Sequence, residues 1–162
     1  MKIAVCELNG RTGHEAGREL LERLYREETG AEMPEIRIQE RGKPFFADSE
    51  WHFSISHTHR HCFCALSRKK IGIDAEELDR QMNLKLADKI LSSEERAQFD
   101  AAEDQRTALL TFWVLKEAAA KLTGEGLRGY PNHTKFSLED PRVRLCHGCL
   151  LAVMEEGEEY AL

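Results

Sequence analysis

The chain has 162 residues, a formal net charge of −6, 41% hydrophobic and 32% charged residues, a balance that suits a globular protein with one core or two small halves sharing one. No apolar run approaches the ~20 residues of a membrane-spanning helix, and no basic cluster beyond Arg68, Lys69 and Lys70 offers a footprint for nucleic acid; neither a membrane nor a nucleic-acid partner is expected. The opening turns polar after residue 8, unlike a secretory signal, and five cysteines set in apolar segments argue for reduced thiols, so a cytoplasmic location is expected.

The first element is a strand at 2–8, KIAVCEL. Thr12 and Glu15 then form a capping box ahead of a helix whose apolar stripe is Ala16, Leu20, Leu21, Leu24 and Tyr25, closed by Gly30. A short strand is expected at 35–39 and a loop at 41–50, where Gly42 and Pro44 interrupt regular structure. Strands follow at 51–56, 62–67 and 70–78, then two short helices at 84–91 and 93–100, the second capped by Ser92 with Glu95. The longest helix runs from about 104 to 122 and stops at Gly124 and Gly126. Beyond Tyr130 a loop leads to strands over TKFSL, VRLC, CLLAVME and EYAL. Strands and helices mix without a regular βαβ alternation, which gives an α+β class.

Three stretches carry chemistry. In FSISHTHRHCFC, 53–64, His57, His59 and His61 alternate and Cys62 and Cys64 follow. They share a face only if one strand runs straight through. The polar HTHRH between two apolar strands reads instead as a hairpin turn holding His59 and His61. The CxxC spacing of Cys146 and Cys149 is likewise explained by a hairpin over His147 and Gly148, so zinc is not expected. His57 differs: it follows Ser56 at a strand end, where an amide, a hydroxyl and an imidazole can face one anion.

In GIDAE, 72–76, Asp74 and Glu76 lie two apart on a strand, so both carboxylates share a side about 7 Å apart. Solvent accounts for such a pair; so does a hard divalent cation. In WVLKEAAAK, 113–121, Trp113, Glu117 and Lys121 line one helix face, with Phe112, Leu115, Ala119 and Leu122 on the other. An i,i+4 salt bridge explains Glu117 and Lys121 if they are exposed. A buried site needs better partners, because an uncompensated buried charge costs several kcal/mol. Three acids around a metal and basic groups around a polyanion together describe phosphoryl transfer.

The order and separation of GKP (42–44), FSISHT (53–58), GIDAE (72–76) and WVLKEAAAK (113–121) resemble 4′-phosphopantetheinyl transferases of the single-chain, surfactin-synthetase-activating type. The resemblance implies one α+β domain over 1–162, built of two pseudo-symmetric halves, 1–70 and 71–162, with a long central helix. It implies Mg²⁺-dependent transfer (Mn²⁺ as an alternative) of the 4′-phosphopantetheine arm of coenzyme A, the substrate, to a serine of an apo acyl or peptidyl carrier protein, with release of adenosine 3′,5′-bisphosphate. By motif position it makes Asp74, Glu76 and Glu117 the metal ligands, and Glu117 also the base for the serine proton. It places Lys121 and His57 on coenzyme A phosphates, Lys43 and Ser56 at the nucleotide end, and Lys116 as a further phosphate contact. Arg11 and Arg41 are the candidates for the 3′-phosphate. A hydrolase that uses water in place of the serine, or a binding module without catalysis, would share these residues.

Overall fold

A computed structural model describes residues 1–126 and 135–157. Strand β1 (Lys2–Glu7) leads into helix α1 (Gly13–Thr29), which Thr12 starts in a reciprocal capping box with Glu15 and Gly30 ends in the left-handed conformation at φ 68°. Strands β4 (His52–His57) and β5 (His61–Ser67) form a hairpin, and β5 lies between β1 and β4 in an antiparallel sheet ordered β1-β5-β4. The two-residue alternation of β5 places Cys62, Cys64 and Leu66 against the Leu20, Leu21 and Leu24 stripe of α1. Phe63 and Ala65 face the opposite way, into a second cluster.

Strand β6 (Ile71–Glu77) begins a second antiparallel sheet, ordered β6-β8-β7, with β7 (Val143–Cys146) and β8 (Cys149–Glu155). Ile71, Ile73 and Ala75 of β6 and Leu151 and Val153 of β8 bury against Phe63 and Ala65, so the two sheets share that cluster. Helices α2 (Ala87–Ile90), α3 (Ser93–Ala101) and α4 (Gln105–Thr123) cover the other face of the second sheet, where Leu109, Phe112 and Leu115 meet Ala152 and Met154. Burying a Leu or Phe side chain contributes about 1.5–3 kcal/mol, and the apolar faces of both sheets are covered in this way. No helix among the described residues is long and apolar enough to cross a membrane.

Where β4 meets β6 the sheets are joined by side chains. Ile73 N donates to Ser54 Oγ and Ala75 N donates to Ser56 Oγ, each at 3.1 Å. The alternate serines of FSIS thus stand in for the carbonyls of a neighbouring strand, satisfying buried amides that would otherwise cost free energy.

Several expectations change. The loop foreseen at 41–50 contains strand β3 (Pro44–Phe46), paired with β2 (Ile36–Ile38). Gly42, at φ 88°, supplies the turn, and Pro44 at the strand start withholds no needed donor. The helix foreseen at 84–91 is a 3₁₀ turn (Leu84–Leu86) followed by the single turn of α2. No strand forms at 135–138; Thr134 of that stretch and all of EYAL lie outside the described residues. The β4–β5 turn is as expected for His59, but His61 opens β5 opposite Glu7 and packs beside Phe63 and His147. His147 and Gly148, at φ 50° and 72°, make the tight β7–β8 turn, and all five cysteines are free.

Candidate active site

The chemistry-bearing residues meet where α4 crosses β6. Gly72, Asp74 and Glu76 share one face of that strand by alternation, and Gly72 permits the crossing. A Cβ there would lie 2.0 Å from Ala118 O and 2.5 Å from Leu122 N. With no side chain in the way, α4 rests on the strand and brings Trp113, Glu117 and Lys121 over Asp74 and Glu76. A cleft of about 290 Å³ results, lined by those five residues with Ser56, His57 and Arg80.

Asp74 is 5% exposed. Its Oδ1 accepts from Lys121 Nζ at 2.7 Å and from Ser56 Oγ at 2.9 Å, while the buried Oδ2 has no hydrogen-bond partner among the described residues. Glu76 Oε1 accepts from Trp113 Nε1 at 3.2 Å and from Arg80 Nη1, and the Arg80 guanidinium stacks over the Trp113 ring at 5.4 Å. Burial first, and the Asp74 charge second, raise the Glu117 carboxyl above the ordinary 4.5; Lys121 and Arg80 offset part of that.

A second cleft, about 280 Å³, adjoins the first and shares Ile55, Glu117 and Lys121 with it; Arg41 and Lys43 line its far end. Lys43 donates to Leu122 O at the C-terminus of α4 at 2.8 Å, where the helix dipole favours a cation. Burial, then the Lys70 charge, lowers its pKa. His57 is exposed at the end of β4, its ring so close over Gly13 that a Cβ there would fall 2.3 Å from Cγ.

The structure therefore gathers Asp74, Glu76, Glu117, Lys121, His57 and Ser56 around one cleft and sets Lys43 in its neighbour. Ser56 differs from expectation in that its hydroxyl is engaged twice, donating to Asp74 and accepting from Ala75 N, so it acts on the cleft through Asp74. Lys116 is a correction. Its side chain is 1% exposed, with Nζ 2.7 Å from the fully buried Glu95 and 5.7 Å from the Phe136 ring, so it lines neither cleft. Position 116 turns away from the 113–117–121 face by the helical period. Arg11 is bound to Glu19 and the Leu8 and Glu7 carbonyls and also lines neither. Arg80 was not singled out by sequence: it lies in the turn after β6, where no periodicity marks it, and the spacing of four from Glu76 was its only signal.

Among the described residues no three acidic, histidine or cysteine side chains are gathered closely enough to hold a metal ion; Asp74 and Glu76 each hold a basic partner instead. The donors nevertheless fit such an ion in kind. All three are carboxylates, the preference of Mg²⁺ and Mn²⁺, they line one cleft, and Asp74 Oδ2 is a buried acceptor that no described residue satisfies.

The family model of the 4′-phosphopantetheinyl transferase superfamily matches residues 70–151, the span from β6 into β8 that carries Asp74, Glu76, Glu117 and Lys121. A 4′-phosphopantetheinyl transferase of Bacillus subtilis is 32% identical over 134 residues, 77% of this chain and 59% of the relative. The transferase Sfp of Bacillus subtilis strain 168 is 35% identical over 92 residues, 55% of this chain and 41% of its own. The transferase gsp of Aneurinibacillus migulanus is 33% identical over 94 residues, 57% and 39% of the two chains. The chain thus spans 39% to 59% of the length of these relatives. With half of its sequence matched by the family model and the acids and lysine of its cleft inside that match, the chain belongs to the 4′-phosphopantetheinyl transferase superfamily.

Proposed function

We propose that this chain is a holo-carrier-protein synthase: it moves the 4′-phosphopantetheine arm of coenzyme A onto a serine of an apo acyl or peptidyl carrier protein and releases adenosine 3′,5′-bisphosphate. One observation carries the reading: Asp74, Glu76, Glu117 and Lys121 converge on a single cleft. We place the reaction in the cytoplasm and read the chain as one domain with halves 1–70 and 71–162. The halves are pseudo-symmetric in this reading. Each contributes a three-stranded sheet with its last strand in the middle, as the orders β1-β5-β4 and β6-β8-β7 support, and α4 is the central helix.

Asp74, Glu76 and Glu117 would hold Mg²⁺ or Mn²⁺. Such an ion, when bound, screens the pyrophosphate and makes its phosphorus easier to attack. Glu117, raised in pKa by burial and by Asp74, is the base that accepts the serine proton, a contribution of typically 10²–10⁴-fold. Lys121 offers its ammonium to the phosphates as charge moves to the leaving bisphosphate, and His57 contacts the same polyanion from the cleft rim. Lys43 with Arg41 binds the nucleotide end in the second cleft, and Ser56 orients Asp74.

The test is intact-mass analysis of apo carrier proteins after incubation with coenzyme A, Mg²⁺ and this protein. Addition of one phosphopantetheine that is lost with a chelator, and lost with Glu117→Gln, supports the proposal. Release of bisphosphate without a carrier would show hydrolysis, and an unmodified set of carriers would refute the transferase reading.

A further inference from the structure

Arg80 stands outside the roles assigned above. It reaches the cleft from the turn that follows β6, where its amide donates to Glu77 O at 2.9 Å. Its guanidinium is pressed between the Glu76 carboxylate and the Trp113 ring, and the oxygen it occupies, Glu76 Oε1, is the one that Trp113 Nε1 also serves at 3.2 Å. The pair is open to solvent, with side chains 39% and 20% exposed, whereas the Lys116–Glu95 pair is sealed at 1% and 0%. A sealed pair is a fixture of the fold. A partly exposed one is weaker and exchangeable. A guanidinium on a carboxylate oxygen weakens that oxygen's hold on a divalent ion, because the like charges repel.

We infer that Arg80 is an internal counter-ion of the proposed metal site: it holds Glu76 while the cleft lacks a divalent ion, competes with such an ion for that carboxylate, and on its binding turns its donor fork to the phosphates of the ligand. The inference rests on the metal reading given above. Two features support it. The planar guanidinium binds phosphate oxygens in pairs, which suits the second post. Trp113 offers the side chain a surface to pivot on without leaving the cleft. Arg80 is thus a positioning residue for Glu76 in one state and a ligand contact in the other.

Mn²⁺ binding to the wild type and to Arg80→Gln separates these roles, read by tryptophan fluorescence and by the electron-spin signal of free Mn²⁺. Without a polyanion, Arg80→Gln binds Mn²⁺ about two- to fivefold more tightly, the worth of the lost exposed pair. With Mn²⁺ saturating, the same variant binds inorganic pyrophosphate at least about tenfold more weakly, because a charged hydrogen-bond donor is gone. Arg80→Lys, which keeps the charge without the fork, retains wild-type Mn²⁺ affinity and is intermediate for pyrophosphate. If Arg80→Gln, folded by circular dichroism, leaves Mn²⁺ affinity unchanged or lowers it, or leaves pyrophosphate binding intact, the counter-ion role is wrong while the metal reading stands. If neither the wild type nor any variant binds Mn²⁺, the metal reading falls and takes the inference with it; loss of binding in Glu76→Gln alone retains both.

Discussion

Gly72→Ala tests the contact on which the cleft is built. The added Cβ would sit 2.0 Å from Ala118 O, 2.5 Å from Leu122 N and 2.9 Å from Leu122 Cα. All three are backbone atoms of α4, so no side chain can swing aside. Restoring the closest distance to even 3.0 Å requires strand and helix to separate by about 1 Å. Overpacking of this kind costs about 1–3 kcal/mol, which for a urea slope of about 1–3 kcal/mol/M moves the unfolding midpoint down by roughly 1 M. The same shift lifts Glu117 and Lys121 away from Asp74 and Glu76, and a misplacement of about 1 Å can cost about 10²-fold in turnover. Urea unfolding read by fluorescence, together with carrier modification read by intact mass, measures both. Gly17→Ala is the comparison: its Cβ would meet the Ile55 Cγ2 methyl, a side-chain atom, at 2.9 Å, a milder clash, so stability falls less than in Gly72→Ala. A Gly72→Ala protein with wild-type midpoint and turnover would show that the close approach of α4 does not hold the site together.

Lys116→Met removes the ammonium 2.7 Å from the fully buried Glu95 carboxylate, so unfolding free energy falls by about 3–5 kcal/mol; under native conditions the KM for coenzyme A is unchanged, and a rise in KM with stability intact would restore Lys116 as a phosphate contact. Glu117→Gln bears on pH-dependent stability. The wild-type carboxyl is raised above 4.5 mainly by burial, so folding is penalised as pH rises through its folded value and is free of the penalty below its unfolded one. In chelator-containing buffer the variant melts higher than wild type at about pH 8 and the difference fades toward about pH 4; a gain that persists in acid would contradict this cause. Ser56→Ala strips Ala75 N of its acceptor and Asp74 of a donor. A loss of about 1–3 kcal/mol is expected, measured by urea unfolding, and Ser56→Thr recovers part of it.

The local elements were legible because local rules govern them. The box of Thr12 with Glu15 and that of Ser92 with Glu95 start helices where expected, and Gly30 and Gly124 end them. The alternation of GIDAE places Asp74 and Glu76 on one face opposite Ile71 and Ile73, and the 113–117–121 face of α4 holds together in space. These are consequences of periods of two and 3.6 residues, which a sequence carries in itself. The turns at Gly42 and at His147–Gly148 are also local, yet only the second was anticipated, because Pro44 masked the short pairing of β2 with β3.

Tertiary structure alone decided which charge meets which. Lys116 and Glu117 are neighbours in sequence, but one is sealed against Glu95 and the other opens on two clefts, since the partner that selects each face comes from a different part of the chain. Nothing near Gly72 in sequence names Ala118 as its neighbour, nor does anything near Ser54 and Ser56 announce that their hydroxyls will carry the amides of Ile73 and Ala75. Arg80 entered the site through the path of a turn. Period and propensity fix the direction in which a side chain leaves its own backbone; what it finds there depends on how separate elements pack, and that is a property of the whole fold.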